Sequence, residues 1–189
     1  MKFPNWIKFI ALPVILIGIA VYAFFTIRYY KNIHPERMFA EQLRSYEKVK
    51  EYKVNMYDSK NDTTDLFYGM PTFHLTDTVD FSPAIAIYSA DFPEMSKCGR
   101  VIVLSDLKTA EKKDLIAVAE VKDDSGKIIY WDYESVPSSG NKWHPYAFLF
   151  HFDQIMLTNG RKFSFYFFKK KGHPAGMASL TVCLYKPKE

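Results

Sequence analysis

The strongest constraint on the fold is the alternation of hydrophobic residues over the C-terminal two thirds of the chain. In residues 162–169 the odd positions from 163 to 167 are all phenylalanine, and residues 145–152 and 176–186 alternate in the same way. Side chains two residues apart lie on one face of a β-strand, so each segment offers one hydrophobic face to a core. The pattern predicts an all-β fold in which two sheets pack face to face as a β-sandwich.

About eight such strands are separated by turn signals. The clearest turn is Asp123-Asp124-Ser125-Gly126, because Asp and Gly between two apolar strands are typical of a β-hairpin. A hydrophobic content of 48% supplies enough side chains for a core and excludes a disordered chain. The predicted strands are residues 73–80, 84–91, 100–106, 114–122, 127–134, 145–152, 162–169 and 176–186.

A second feature is the uncharged apolar run at residues 9–27. As a helix its 19 residues would span about 28 Å, close to the hydrocarbon thickness of a bilayer. The alternative is a cleaved secretory signal ending near Ala23, but the run is longer than the roughly 7–15 residues of a signal core. We therefore predict one N-terminal transmembrane helix that contacts the lipid bilayer through residues 9–27.

The layout of the N-terminal region predicts the orientation in the membrane. Lys2 and Lys8 form a short basic start before the apolar run, and a long domain follows it. Lysine and arginine flank both ends of the run, so the positive-inside rule gives no clear margin. The signal-like order favours a signal anchor, that is, a single-pass protein of the cell membrane with its C-terminal domain extracytoplasmic.

The segment after the membrane run predicts a stalk. Pro35 suits the first turn of a helix, and hydrophobic residues then recur at spacings of three and four. These residues are Phe39, Leu43, Tyr46 and Val49. We predict a short stalk helix, packed either on the following domain or on lipid headgroups or a partner. The predicted division is a transmembrane anchor over 1–30, a juxtamembrane helix and linker over 31–64, and a β-sandwich domain over 65–189.

The charge distribution excludes a nucleic-acid partner. The net charge of the chain is +4, but residues 54–189 contain 16 Lys or Arg against 17 Asp or Glu. The excess positive charge therefore lies near the membrane run. Binding to nucleic acid needs a basic face, so we predict no such function.

The chain lacks the patterns that common catalytic and cofactor sites need. There is no glycine-rich phosphate loop, and the five histidines do not have zinc-ligand spacing. Asp132 and Glu134 share a strand face, a loose requirement for a glycosidase pair, although acids on a solvated strand are more common. Cys98 and Cys183 could form a disulfide, but we favour two free thiols. We predict no enzyme, no cofactor and no metal site.

Aromatic residues gather in residues 127–152, where Trp131 and Tyr133 share one strand face and Trp143 follows the next turn. A hairpin with a Trp after its turn, a Lys-Trp pair, an aromatic strand, an Asn-Gly turn and another aromatic strand follow in that order. This order resembles jelly-roll modules of the carbohydrate-binding, galactose-binding-like type, over roughly residues 80–186. The resemblance implies a jelly-roll fold and a glycan stacked on Trp131, Tyr133 and Trp143. Such modules often carry an acidic residue or an Asn near the final strand, where it binds calcium or sugar. The matching residues of this chain, 178–181, contain no acid.

Two functions follow from these patterns. We predict a membrane-anchored, non-catalytic interaction module, an accessory subunit of a cell-envelope complex with a protein partner in the membrane or envelope. The alternative is a membrane-tethered glycan-binding module. Exposed rings at Trp131, Tyr133 or Trp143 around a groove would favour the glycan. Trp131 and Trp143 flank the loop at residues 135–142, which could bring their rings together at one end of the hairpin. Because residues 145–152 are apolar on both faces, we expect both rings to lie in the core.

Overall fold

The fold is described by a computed structural model. It covers residues 13–26, 34–54, 66–67, 70–76, 78–110, 115–153, 157–158, 160–170 and 174–189. The chain divides into two compact units, residues 1–35 and residues 36–189. The second unit carries all the sheets described below.

In the first unit, residues 13–26 form an α-helix with exposed hydrophobic side chains. Among the described residues, no helix combines the length and the hydrophobicity needed to cross a membrane. Residues 9–12 and 27 of the predicted transmembrane segment lie outside the described residues.

The second unit is a jelly-roll-like β-sandwich of two main sheets. Its strands are β1 (Tyr46–Val54), β2 (Leu66–Phe67), β3 (Met70–Pro71), β4 (Phe73–Leu75), β5 (Ile85–Tyr88), β6 (Arg100–Lys108), β7 (Leu115–Lys122), β8 (Ile128–Ser135), β9 (Trp143–His151), β10 (Lys162–Lys169), β11 (Ala175–Met177) and β12 (Leu180–Pro187). One sheet has six strands, ordered β1-β12-β6-β11-β4 with β9 also pairing β6. The other has four, ordered β5-β10-β7-β8, and β2 and β3 form a separate pair. Two 3₁₀ helices, Pro35–Phe39 and Pro93–Lys97, complete the described elements.

The core between the sheets contains a ladder of phenylalanine pairs. Rings from β9 and the residue after it meet rings from β10 at centroid distances of 5.2–5.9 Å. The pairs are Phe148–Phe167, Phe150–Phe165 and Phe152–Phe163. The alternating faces predicted for both segments are therefore confirmed.

Small residues in the neighbouring strand make room for this ladder. Ala117 and Ala119 of β7 lie directly opposite Phe167 and Phe165 in the sheet, and both alanines are fully buried. A large side chain beside a small one lets the rings fill the space between the sheets without overpacking.

The predicted hairpin between β7 and β8 is also confirmed. The Asp123 carboxylate accepts hydrogen bonds from the backbone N–H groups of Ser125 and Lys127, each at 3.0 Å, and from the Ser125 hydroxyl at 2.6 Å. Gly126 has a φ of +81°, which favours glycine. The hydrogen bonds lower the pKa of Asp123, the Ser125 hydroxyl contributing most.

All eight predicted strands are present, with shorter bounds in places. The last one is divided at Ser179, whose hydroxyl donates to the Asp106 carboxylate at 2.7 Å and accepts the Asp106 N–H at 3.0 Å. This side chain takes the place of a backbone partner in the ladder with β6 and separates β11 from β12. Strand β1 and the separate pair formed by β2 and β3 were not predicted.

The predicted stalk helix is wrong beyond Phe39. The 3₁₀ helix Pro35–Phe39 is followed by turns, and Tyr46–Val54 is strand β1, paired antiparallel with β12. The pairing shifts register between Lys48 and Lys50, which leaves Val49 as an extra residue in a β-bulge. The bulge interrupts the two-residue period of β1, so its half-buried residues recur at a spacing that imitates a helix.

Candidate functional site

The two outer faces of the sandwich differ. On the six-stranded sheet, Phe39 and Leu43 pack against a small cluster of Ile102, Leu149 and Cys183. On the four-stranded sheet, Val118 and Glu120 of the outer face are buried, but Trp131 and Tyr133 of the neighbouring strand β8 are exposed. Large aromatic rings are exposed there, and such a patch on a folded domain marks a binding surface more often than a scattered apolar residue does.

We call this set of rings the aromatic platform; it consists of Phe81, Trp131, Tyr133, Tyr166 and Phe168. The fractional exposure is 56% for Phe81, 47% for Trp131 and 46% for Tyr133, while the other two rings are half-buried. Trp131 and Tyr133 are two residues apart on β8, and Tyr166 and Phe168 are two residues apart on β10. Phe81 joins them because it forms a β-bridge with Phe168.

The platform rings form two groups with a low floor between them. The centroids of Trp131 and Tyr133 lie 4.9 Å apart, as do those of Phe81 and Phe168. The floor is Val118 of β7, which is buried and lies directly opposite Tyr133 on one side and Tyr166 on the other. The resulting pocket has a volume of about 190 Å³. This is below the roughly 300–1,000 Å³ of a drug-sized site, so the pocket has room for a single ring.

Polar groups lie at one side of this pocket. The buried Glu120 carboxylate forms an ion pair with Lys122 at 2.8 Å, and the Tyr166 hydroxyl lies 3.5 Å from Glu120 Oε2. Burial, followed by the charge of Glu120, raises the pKa of Tyr166. The hydroxyl therefore stays protonated at neutral pH and can donate a hydrogen bond. The hydrogen bond to Glu120 raises the pKa of Lys122, which stays charged.

Two further lysines lie over tyrosine rings on this face. The Lys170 ammonium lies 5.7 Å from the centroid of Tyr133, and the Lys162 ammonium lies 5.4 Å from that of Tyr88. Both distances are within the range of a cation–π contact. Positive charge therefore stands at both ends of β10 on the platform side.

A second depression of about 330 Å³ opens at the end of the same sheet, beside Tyr88, Lys122 and Lys162. Its two acidic side chains are engaged in local structure. Asp123 closes the hairpin, and the Asp124 carboxylate occupies the space that a Cβ atom would take at Gly160. It contains no paired aromatic rings, so the platform remains the better candidate for a ligand site.

The three ring residues predicted for a ligand fall into two places. Trp131 and Tyr133 lie together on the platform. Trp143 lies on the outer face of the six-stranded sheet, opposite Lys108, where its ring packs so closely on Gly176 that a Cβ atom there would lie 2.8 Å from it. The three rings therefore do not form one site, because a whole sandwich core separates Trp143 from the other two.

The expectation that Trp131 lies in the core is wrong. Trp131 belongs to β8, an edge strand that pairs only with β7 among the described strands, and it lies opposite Glu120 on the outer face. The reason given for the core position does not apply, because β9 pairs with β6 and not with β8, and the outward residues Pro145 and Ala147 of β9 are only partly buried. The platform residues Phe81, Tyr166 and Phe168 were missed because only the order of the strands brings them to β8.

Asp132 and Glu134 lie on the other side of β8, opposite the core-facing alanines of β7. The Asp132 carboxylate accepts hydrogen bonds from the Tyr130 hydroxyl at 3.0 Å and from the Tyr133 N–H at 2.8 Å. Burial, with the charge of Asp132, raises the pKa of Glu134. The Asp132 carboxylate is therefore engaged in hydrogen bonds within β8.

The two thiols are buried and free. Burial raises the pKa of Cys98 to about 12 and that of Cys183 to about 11, so neither is a thiolate at neutral pH. A thiol in this state is a poor nucleophile. In the part of the chain that the structure describes, no three side chains of His, Cys, Asp or Glu gather as metal ligands would.

Neither the family models nor the curated proteins contain a match to this chain. Among solved structures, the chain is similar to the CBM22-1 xylan-binding domain of Paenibacillus barcinonensis Xyn10C, with 13% identity over 76% of this chain and 88% of that one and a TM-score of 0.42. It is similar to the carbohydrate-binding module TmCBM27, described for mannan recognition, with 12% identity over 78% and 92% and a TM-score of 0.37. Both of these solved structures are carbohydrate-binding domains.

A third similar structure is the enzymatically active domain of bacteriophage CBA120 tailspike protein 4, with 14% identity and a TM-score of 0.40. The match covers 74% of this chain but 19% of the tailspike, and a match to the arabinofuranosidase MgGH51 covers 24% of that enzyme. This chain therefore spans a quarter or less of these two larger proteins.

Proposed function

We propose that the second unit is a non-catalytic carbohydrate-binding module that receives a sugar ring on the aromatic platform. The observation that carries the proposal is the pair of half-exposed rings, Trp131 and Tyr133, beside a pocket with room for one ring. Flat aromatic faces carry a negative quadrupole that attracts the C–H groups of a sugar ring. This order of preference reverses the one that we drew from the sequence, where a protein partner came first.

The surroundings of the platform suit a sugar better than a purely apolar ligand. The Tyr166 hydroxyl and the Lys122–Glu120 pair offer both donors and acceptors at the pocket side. Sugar hydroxyls need such partners once water is removed. Four of the five platform rings lie on paired strands, so the site is held in shape before the ligand arrives.

The affinity for a single sugar should be low. A monosaccharide of roughly 12 non-hydrogen atoms at about 0.3 kcal/mol per atom gains about 4 kcal/mol, which corresponds to a millimolar Kd. The test must therefore use polysaccharides, where many repeats increase retention. Affinity electrophoresis of the detergent-solubilised full chain through gels with embedded polysaccharide meets this need.

The decisive variant is Trp131→Ala, with Trp143→Ala as the matched control on the opposite face. We expect Trp131→Ala to abolish retardation by a polysaccharide that retards the natural chain. Trp143→Ala should keep the retardation, whatever it does to stability. If both variants, still folded by circular dichroism, migrated like the natural chain, the platform would not be the sugar site.

We also propose that residues 9–27 anchor the domain as a single membrane-spanning helix, with the domain outside the cytoplasm. The support is the 19-residue uncharged run and the basic start before it. The full chain should stay with membranes after alkaline washing, whereas a chain beginning at Glu36 should be released. Protease added to intact cells should digest the domain, and complete protection would reverse the proposed orientation.

A protein partner in the envelope is the second candidate, in which the module is an accessory subunit of a complex. The observation that favours it is the extension of exposed apolar surface along β8 to Ile128 and Ile129, with exposures of 48% and 37%. Protein interfaces are enriched in Trp and Tyr at their centres. A partner that co-purifies with the natural chain, is lost in Trp131→Ala and is not displaced by any soluble polysaccharide would favour this function.

A further inference from the structure

We propose that the glycan is anionic, a polymer of uronic acids that runs along β10 with carboxylates at both ends of the platform. This proposal rests on the proposed carbohydrate-binding function and adds the class of ligand. The starting observation is the charge of the outer face. On the four strands of this sheet the outward charged residues are Lys122, Lys162 and Glu120, and Lys170 follows β10 directly.

Among the described residues, one of these three lysines, Lys122, has an acidic partner. Glu120 is taken by Lys122 at 2.8 Å. Among the described residues, Lys162 and Lys170 form no salt bridge, and their ammonium groups lie over tyrosine rings. A cation on a ring face keeps most of its hydrogen-bonding capacity for an incoming anion.

Lys170 is placed to meet a substituent of the stacked sugar. Its ammonium lies 5.7 Å from the centroid of Tyr133, and that ring lies 4.9 Å from Trp131. A sugar resting on the Trp131–Tyr133 pair would therefore hold its ring substituents beside this ammonium. A carboxylate there would form a charge-assisted hydrogen bond, which is stronger than one to a neutral hydroxyl.

Lys162 would meet a second carboxylate further along the polymer. It points to the same outer face as Tyr166, four residues away on β10, which corresponds to about 13 Å along the strand. It also borders the 330 Å³ depression beside Tyr88. The pocket and the depression are separate, but residues of β10 line both of them, and a polymer of several sugar residues lying along this strand would reach from one to the other.

This positive charge is local and not a property of the whole domain. Residues 54–189 contain one more acidic than basic residue. Lys162 and Lys170, which form no salt bridge with any described residue, would give this face a local positive potential that attracts an acidic ligand. A neutral glycan would gain little from either lysine.

The test compares three uronate polymers with their carboxyl-reduced forms, which keep the backbone but lack the charge. Polygalacturonate, alginate and hyaluronan would be embedded in native gels, and the detergent-solubilised full chain would migrate through each. We expect at least one acidic polymer to bind about tenfold more tightly than its reduced form at low salt, with the difference shrinking as salt rises.

The lysine variants test the two ends of the platform. Lys170→Gln and Lys162→Gln should each weaken binding of the acidic polymer about threefold to fivefold and leave binding of the reduced polymer unchanged. Lys97→Gln, an exposed lysine of the 3₁₀ helix Pro93–Lys97, is the matched control and should have no effect.

The outcomes separate this proposal from the proposed function. Equal binding of acidic and reduced forms that is lost in Trp131→Ala would overturn the anionic ligand and leave the carbohydrate-binding function standing. Acidic binding that survives Trp131→Ala, or that Lys97→Gln weakens equally, would be non-specific and would overturn the proposed binding along β10. Absence of Trp131-dependent binding to every polymer in either form would overturn both proposals.

Discussion

Two phenylalanines on β10 allow the fold and the site to be tested with the same substitution. Phe165 faces the core and is fully buried, whereas Phe168 faces outward into the aromatic platform. Phe165→Ala should therefore destabilise the sandwich strongly, and Phe168→Ala should damage sugar binding with a smaller loss of stability. The two variants share a strand, a residue type and a change in volume, so each is the control for the other.

The cost of Phe165→Ala follows from its neighbours. Its ring lies 5.7 Å from Phe150 across the core and 5.4 Å from Phe167 along the strand, and it lies opposite Ala119 in β7. An alanine has no side chain that could move into the vacated space, so the cavity would stay largely open. We expect a loss of about 4 kcal/mol, within the usual range for emptying a buried aromatic site. For a chain of this length the loss corresponds to about 8–16 °C in Tm.

The cost of Phe168→Ala is smaller because its ring borders solvent. It lies 4.9 Å from Phe81 and opposite Ile116 in β7, and water can occupy the space left by its removal. Partial loss of buried apolar area without an enclosed cavity should cost about 1–2 kcal/mol. The pocket, however, loses one of its walls, so retardation by a bound polysaccharide should fall at least several-fold.

Urea unfolding followed by circular dichroism, together with affinity electrophoresis, measures both effects on the full chain. We expect the two assays to rank the variants in opposite order. Phe165→Ala should be the less stable variant, and Phe168→Ala should be the weaker binder at temperatures where both are folded. Equal losses of stability would mean that the faces of β10 are assigned wrongly. A Phe168→Ala variant that binds as the natural chain does would remove Phe168 from the site.

Three further predictions concern residues outside the platform. The two lysine partners of Glu51 lower its pKa to about 2, so its stabilising effect is present above about pH 4.5 and is lost as pH falls towards 2. Because these ion pairs are exposed, Glu51→Gln should lower the free energy of unfolding by well under 1 kcal/mol at pH 7, and its Tm should match that of the natural chain near pH 2. Cys98 and Cys183 should react with a thiol reagent only after denaturation, and fast labelling of the native chain would contradict their burial. Gly160→Ala should lower Tm more than Gly126→Ala, since both have positive φ but only Gly160 has a carboxylate in the way.

The parts of the fold that were predictable are those with local causes. The phenylalanine alternation of β10 needs only the two-residue period of a strand, and the Asp123 hairpin closes through hydrogen bonds within four residues. Both appear in the structure where the sequence placed them. Trp131 and Tyr133 likewise share a face because they are two residues apart on β8.

Strand β1 shows how a local irregularity can mislead the same reasoning. Its extra residue, Val49, leaves the half-buried positions of the strand at spacings of three, three and two. Tyr46, Val49 and Tyr52 then repeat as they would on a helix, and the mixed charges between them suit either structure. The pairing with β12 joins residues from Tyr46↔Pro187 to Val54↔Leu180, more than a hundred residues apart in sequence, and no local pattern carries that information.

The site depends on information of this non-local kind. Tyr166 and Phe168 reach the neighbourhood of Trp131 only because β7 lies between β10 and β8, and Phe81 joins them only through its bridge to Phe168. The end position of β8 in the four-stranded sheet is therefore what exposes the ring pair, and the narrow side chain of Val118 on the intervening strand is what leaves a pocket between the two groups of rings.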